Sequence, residues 1–517
     1  MNKIRQHRKL ILQTLIFTLF PLLCASAYCL KDGHMLWDVF LPASYWNDEL
    51  MYFKQVEAIV SHGLPQGWFG YNEIHGSVYP FAAWSPVILL PWVVWGKLFG
   101  WYLTSPVYAN IVFTMIAMGA FALLARPTLK QSISVLGLLA LFVPYTRYML
   151  SGMPESLCMC LGIWFVALSI SYVRSERLWK LFALTAIVLF LTLSRPYLGL
   201  FFLVPIWFAV RKHRLWGSLS MAAVIGGAAA GYVWITKLCC SPYIEPIIET
   251  QWLSVFGTDG LTGGISYIFS TLADRFFYLF DHFLKRAVKY GLFSGALYGV
   301  AGLLALILLI RGIWAFKKKR DEELRLFCLF QFIATAGMIL ALFLFYLTGD
   351  GAKHLMIFIV AGLLLTAMIE ERWMLMKLCT GALCLYFFII KALAPYDWQV
   401  PYDDGALGAE AEMLQRQMMA EMDLEDSGSR FDNTVIWLAS DMVGEESITA
   451  SWGLLYMVPE GYGINFCTQQ YAAEHLDDLQ SRYIAAVPGG TIDRELEAAH
   501  KTRIAETEHM RVYRLYE

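Results

Sequence analysis

The stretch 45-YWNDELMYFKQVEAI-59 sets two adjacent carboxylates, Asp48 and Glu49, between aromatic residues at the head of an amphipathic run that continues to His62 and stops at Gly63. It stands in a chain of 517 residues that is 58% hydrophobic and only 16% charged, with apolar runs near twenty residues long. Such runs exceed what an ordinary soluble core uses and match the thickness of a bilayer. The composition therefore defines a polytopic α-helical membrane protein. The acid pair falls between two spans, and which side of the membrane it faces decides what the fold is for.

Apolar runs near 10–30, 106–125, 131–147, 154–173, 181–194, 197–210, 216–237, 291–310, 326–347, 354–369 and 378–394 predict eleven spans, and crossing by 80–99 would make twelve. Loop charge arbitrates, because cytoplasmic loops carry the excess Lys and Arg. If 80–99 does not cross, 126–130, 174–180, 211–214, 311–325 and 371–377 are cytoplasmic and hold sixteen Lys or Arg against ten opposite; if it crosses, the bias inverts. Pro80, Pro86 and Pro91 also favour a broken helix along the outer surface. Residues 31–105 then form one long extracytoplasmic loop. The basic N-terminus stays in the cytoplasm, and its apolar run is too long, and too well followed by others, for a cleaved signal peptide.

Residues 395–517 hold 23 of the 42 acids but 8 of the 40 Lys and Arg. This imbalance separates an extracytoplasmic soluble domain from a membrane domain spanning 1–394. Alternating apolar stretches at 434–440, 482–488 and 510–516 predict strands, and 405–424 and 491–501 predict helices, giving a small α/β domain. The ten cysteines show no CxxC and no metal spacing with His, and no disulfide framework is expected. The KKKR run at 317–320 reads as a topology signal, with no nucleic-acid role.

Further ionisable residues gather at the predicted outer turns. Arg147 and Glu155 lie in 144-PYTRYMLSGMPESL-157, Arg195 in 192-TLSRPYLGL-200, and Asp350, Lys353 and His354 in 347-LTGDGAKHL-355, while a fourth turn spans 238–290. Charges at that depth are costly and mark a site by default. Each also has a plainer reading: Asp48 as a helix cap, Glu155 as a helix-dipole partner after Pro154, Arg195, Lys353 and His354 as interfacial anchors. Together, carboxylates beside cations at an outer face suit sugar transfer from a lipid-linked phosphate: a carboxylate takes the acceptor's proton and cations hold the charge on the departing phosphate. There is no GxxxxGK[ST], and no GxGxxG opening a helix after a strand.

A first helix, an outward loop with a DE pair followed by Tyr52, the amphipathic run 49-ELMYFKQVEAIVSHG-63, an aromatic and proline-rich segment ending in KLFG, and then the next span resemble the GT-C superfamily of polyprenyl-phosphate-sugar-dependent glycosyltransferases. The branch most similar holds the lipid A aminoarabinose transferases and protein O-mannosyltransferases. The resemblance covers about residues 10–370. It implies an inverting hexosyl- or pentosyltransferase in the cell membrane, with Asp48 as base, Glu49 its neighbour and Glu155 the acid opening the fourth span, although Asp is commoner there. It implies a lipid-linked donor whose phosphate meets Lys353, with His354 beside it, and a lipid, glycan or protein acceptor; read from the residues themselves, Arg195 and Arg147 are further candidates for the donor phosphate and Tyr52, Glu73 and His75 for the acceptor side. The chain lacks the family's Lys-Pro-Pro and has 73-EIHGSVYPFAAWSP-86 instead, where Glu73 and His75 also suggest a divalent cation. Other classes remain: a lipid or polysaccharide transporter, which predicts mid-span charge and internal symmetry, and a non-catalytic envelope assembly factor.

Overall fold

The computed structural model describes residues 2–42, 48–73, 76–79, 85–239, 251–287, 293–317, 322–345, 351–368, 374–393, 405–439 and 453–517. Helices dominate. The long apolar segments form α1 (Asn2–Lys31), α4 (Ser105–Ala125), α7 (Glu155–Ser175), α12 (Phe293–Lys317) and α13 (Glu322–Phe345). Between them come α2 (Asp48–His62), α3 (Leu90–Phe99), α5 (Leu129–Leu141), α6 (Val143–Met149), α8 (Leu178–Ser194), α9 (Leu203–Cys239), α10 (Gln251–Thr258) and α11 (Gly260–Ala287). α14 (Met356–Met368), with every residue buried, and α15 (Met374–Leu393) complete the bundle.

Among the described residues six helices are long and apolar enough to cross a membrane, or seven if the bent pair α5–α6 is one span. Eleven apolar runs thus do not give eleven equal spans. The run 131–147 is broken, with α5 and α6 meeting at 68°. Pro144 has no backbone donor to give to the turn before it and so suits the first turn of a new helix, and Phe142 sits between the two at φ −85, ψ 72. The two runs 197–210 and 216–237 meet tightly at Arg214, which takes φ 44, ψ −117. Gly217 is required there, since a Cβ would lie 2.2 Å from the Ala209 carbonyl oxygen. Residues 251–287 are helical where the sequence suggested only a turn. α3 has ten residues, or about 15 Å of length, half of a hydrocarbon core. With the tight turn Pro86–Leu89 before it, α3 forms an apolar helix over Pro86–Phe99 that falls in the same shorter group as Leu178–Ser194 and Ala352–Met368, and 80–84 lie outside the described residues.

The C-terminal region folds as predicted helices and strands, with two strands that alternation did not reveal. α16 (Gly405–Glu421), α17 (Gln469–Glu474) and α18 (Thr491–Ala498) pack with β2 (Thr434–Ala439), β3 (Gly463–Thr468), β4 (Tyr483–Ala486), β5 (Thr502–Glu506) and β6 (Arg511–Arg514). β3 is buried along almost its whole length, so it shows no period of two. The sheet order is β1-β3-β2-β4-β6-β5, parallel through β4 and antiparallel beyond it. Its first strand, β1 (Gly70–Tyr71), comes from the 31–105 loop. The two predicted domains therefore share a sheet.

That junction is closely fitted. A Cβ on Gly67 would stand 1.9 Å from the Asn433 carbonyl oxygen. The Trp68 amide donates to Thr434 Oγ1 at 2.8 Å, and Arg430 lies over the Trp68 ring. After β1 the chain turns through Asn72 and Glu73, both left-handed at φ 51 and 53. The Asn72 amide donates to Phe466 O, and Asn72 Oδ1 accepts from the Thr468 amide. Glu73 is buried, its Oε2 accepting from the Gln480 amide and its Oε1 from the Ser481 amide and hydroxyl. A left-handed Glu persists only when its surroundings hold it. Glu73→Gln, which turns one acceptor oxygen into a donor facing another donor, is expected to cost about 1–3 kcal/mol of stability. Thermal unfolding in detergent measures this.

Candidate functional site

Three local breaks in helix place the site residues at one end of the bundle. α2 begins with Asp48 and Glu49 in its first turn, where carboxylates complement the helix dipole, and closes at Gly63 in the left-handed conformation at φ 79. Pro154 starts α7 with Glu155 as its first residue. The Arg195–Pro196 pair ends α8: Pro196 pushes Arg195 to an extended φ −148, ψ 114, and the chain resumes as a tighter helix at Pro196–Phe202. Lys353 and His354 sit in the short turn Ala352–Leu355 that runs into α14. The basic loops lie at the opposite end, where Arg174 donates to the Ala125 carbonyl and Lys212 to that of Glu176.

The side chains form two layers. In the inner one Arg195 Nη1 donates to Glu155 Oε1 at 2.7 Å, both side chains being 2% exposed. The same nitrogen lies 3.1 Å from Tyr197 Oη and 3.0 Å from His354 Nδ1, and Tyr197 Oη is 2.8 Å from His354 Nδ1. A guanidinium can only donate. Nδ1 of His354 is therefore the acceptor where it bonds Arg195. In the outer layer Lys353 Nζ donates to Asp48 Oδ2 at 3.0 Å, with the two side chains 26% and 34% exposed.

The layers touch. Lys353 lies in the field of Asp48, Glu155 and Tyr52, and Tyr148 in that of Glu155, Lys353, Arg147 and Arg195. Tyr52, one turn along α2 from Asp48, is buried, and burial reinforced by Asp48 raises its phenol above the ordinary value, so it stays a neutral donor. Glu49 is fully buried, with its Cβ close enough to crowd any side chain at Gly152. The loop carrying Gly152 is tied in place by Asn110, which accepts from Trp92 Nε1 at 2.9 Å and donates to Ser151 O at 2.8 Å.

Two cavities reach this cluster. The larger, about 720 Å³ and almost wholly apolar, runs between the Pro196–Phe202 turn, α9 and α13 and ends at Tyr197 and His354. The smaller, about 10 Å³, lies between α2 and the segment before α3, with Tyr52, Gln55, Tyr79, Ser85 and Arg195 around it; it has room for about one water. Sequence reasoning missed Tyr197 and Gln55. Tyr197 was visible as the aromatic two residues past Arg195, and Gln55 as the polar residue seven past Asp48 on the same helix face.

The structure thus gathers Asp48, Tyr52, Glu155, Arg195, Lys353 and His354, with Arg147 in their field. It sets Glu73 apart, in the shared sheet. His75 and Asp350 lie outside the described residues. Among the described residues no three His, Cys, Asp or Glu side chains gather to hold a metal ion, and the Glu73 carboxylate that suggested a cation is already bonded to the 480–481 backbone.

Fold and site together define a polytopic helical membrane protein with a charged cluster at one end of its bundle, capped by a small mixed-sheet region. No family model and no curated protein matches the chain. Solved structures to which it is similar include ArnT from Cupriavidus metallidurans bound to undecaprenyl phosphate, at 12% identity and TM-score 0.40 over 97% of both chains. The archaeal oligosaccharyltransferase AglB from Archaeoglobus fulgidus, with an inhibitory peptide and a dolichol-phosphate, is similar at 12% identity and TM-score 0.49 over 92% of this chain and 69% of that one.

Proposed function

We propose that the chain is an inverting glycosyltransferase that moves a sugar from a polyprenyl-phosphate carrier to a cell-envelope acceptor at the outer face of the membrane. One observation carries the reading: a carboxylate and a cation, Asp48 and Lys353, meet 3.0 Å apart beside an apolar cavity that ends at the Tyr197–His354 pair. An isoprenoid tail fits the cavity, whose walls are apolar, and the phosphate then arrives beside Lys353. Arg195 and His354 stand behind it, held by Glu155 and Tyr197.

In the reaction Asp48 takes the acceptor's hydroxyl proton, and the acceptor oxygen attacks the anomeric carbon from the face opposite the phosphate. The bond from that carbon to the phosphate oxygen breaks, and the carrier phosphate leaves with the electron pair. Lys353 stabilises the charge it keeps. Tyr52, on the face of α2 that carries Asp48, donates to the acceptor.

The test is donor binding. Purified protein should bind undecaprenyl phosphate, and Lys353→Met should weaken that binding by about tenfold to a hundredfold, the worth of one charge-assisted contact. Lys353 is partly exposed, so the unfolding temperature should shift little. Equal affinity in wild type and variant would remove Lys353 from the donor site, and no binding by the wild type would end the lipid-carrier reading.

A further inference from the structure

Lys54 is a cation that the proposed chemistry does not use, yet its side chain is only 1% exposed. It lies on α2, six residues past Asp48 and so about 9 Å along the same rod. Its ammonium donates to Glu57, one turn on, and at 2.6 Å to the carbonyl of Val458 in the C-terminal region. Burial raises the Glu57 carboxyl above its ordinary range, and Lys54 opposes that rise. A buried pair of this kind adds little net stability over an apolar pair of the same volume, so stability alone gives no reason for it.

The other bonds to α2 point the same way. Ser61 donates to Glu460 at 2.7 Å, and just past the end of the helix the Gln66 amide donates to Gly461 O at 2.8 Å. On the membrane side Trp101 Nε1 donates to Phe53 O at 3.0 Å, and Lys97 donates to Val60 O. α2 is clamped between the C-terminal region on one side and Lys97 and Trp101 on the other, with Asp48 in its first turn. Among the bonds to the C-terminal region the one from Lys54 is both buried and nearest to Asp48, and on the membrane side the bond to Phe53 is buried as well.

We infer that Lys54 is a positioning residue: by tying α2 to the Val458 carbonyl it fixes the axial position of the helix and so sets Asp48 against Lys353. The C-terminal region thereby takes part in the transfer reaction without touching the reacting atoms. The inference deepens the glycosyltransferase reading and rests on it for the part played in turnover, while the placement of Asp48 is testable without any activity.

The experiment uses the full chain with Lys54→Met and Glu57→Gln made together, so that no lone charge is left buried, and with Lys54→Arg as the conservative variant. In each background Asp48→Cys and Lys353→Cys are introduced, and the rate at which a short bis-thiol reagent links them is measured. The double variant should cross-link several-fold more slowly, and Lys54→Arg should restore the rate. In the chain that keeps Asp48 and Lys353, kcat for transfer should fall about tenfold or more while the donor's KM holds, since a small misplacement of a catalytic group carries such a cost. An unchanged cross-linking rate in the double variant overturns the inference whatever the activity. If the wild-type chain transfers no sugar, the glycosyltransferase reading fails and the cross-linking result still decides the role of Lys54.

Discussion

Asp48→Asn is expected to lower transfer turnover by roughly 10²–10⁴-fold, the usual contribution of a general base, with undecaprenyl phosphate affinity barely altered. The substitution keeps the size of the side chain and an oxygen that can accept from Lys353 Nζ, now 3.0 Å from Asp48 Oδ2. It removes only the capacity to take a proton. Both partners are partly exposed, so the ion pair itself contributes little to stability and folding should be nearly intact. Glu49→Gln should cost less turnover, because Glu49 is buried with its Cβ against Gly152 and the partly exposed Asp48 carboxylate is the one bonded to Lys353. Glu155→Gln should fall between the two. The measurement is single-turnover transfer with donor and acceptor saturating; a wild-type rate in Asp48→Asn would pass the role of base to Glu49 or Glu155.

The sequence made much of this site legible for one physical reason: charge is scarce in a membrane protein, and each charged residue near a span boundary stands out. Asp48, Glu155, Arg195, Lys353 and His354 were each found that way, and they converge although 305 residues separate Asp48 from Lys353. The inner layer was less legible. Tyr197 is an aromatic among many, and only the three-dimensional meeting of Arg195 with His354 reveals its hydroxyl as the link between them. Glu73 shows the opposite failing. An acid beside a His in an outer loop reads as a ligand, yet its carboxylate closes a sheet whose other strands lie almost four hundred residues further along the chain. A two-residue strand such as β1 has too few positions to show any period. Helix boundaries were set by hydropathy alone, which could not register the bend at Phe142 or the amphipathic α11.

Arg195→Met carries the second large expectation, a loss of about 3–5 kcal/mol of stability. Glu155 and Arg195 are each 2% exposed and 2.7 Å apart, and Glu155 Oε2 has no hydrogen-bond partner among the described residues. Removing the guanidinium leaves a buried carboxylate without its cation, and it also leaves Tyr197 and His354 without the donor between them. Arg195→Lys should recover only part of the loss: an ammonium keeps the charge but lacks the planar fork of donors that reaches several partners at once. The paired change Arg195→Met with Glu155→Leu separates structure from chemistry. It removes both charges, so most of the stability should return, yet turnover should stay low because the inner layer behind the donor phosphate is gone. Thermal unfolding in detergent, read beside turnover per folded molecule, distinguishes the two. An Arg195→Met protein as stable as wild type to within about 0.5 kcal/mol, the range of an ordinary surface substitution, would mean that Arg195 and Glu155 are not a buried pair, and the two-layer description of the site would fall with it.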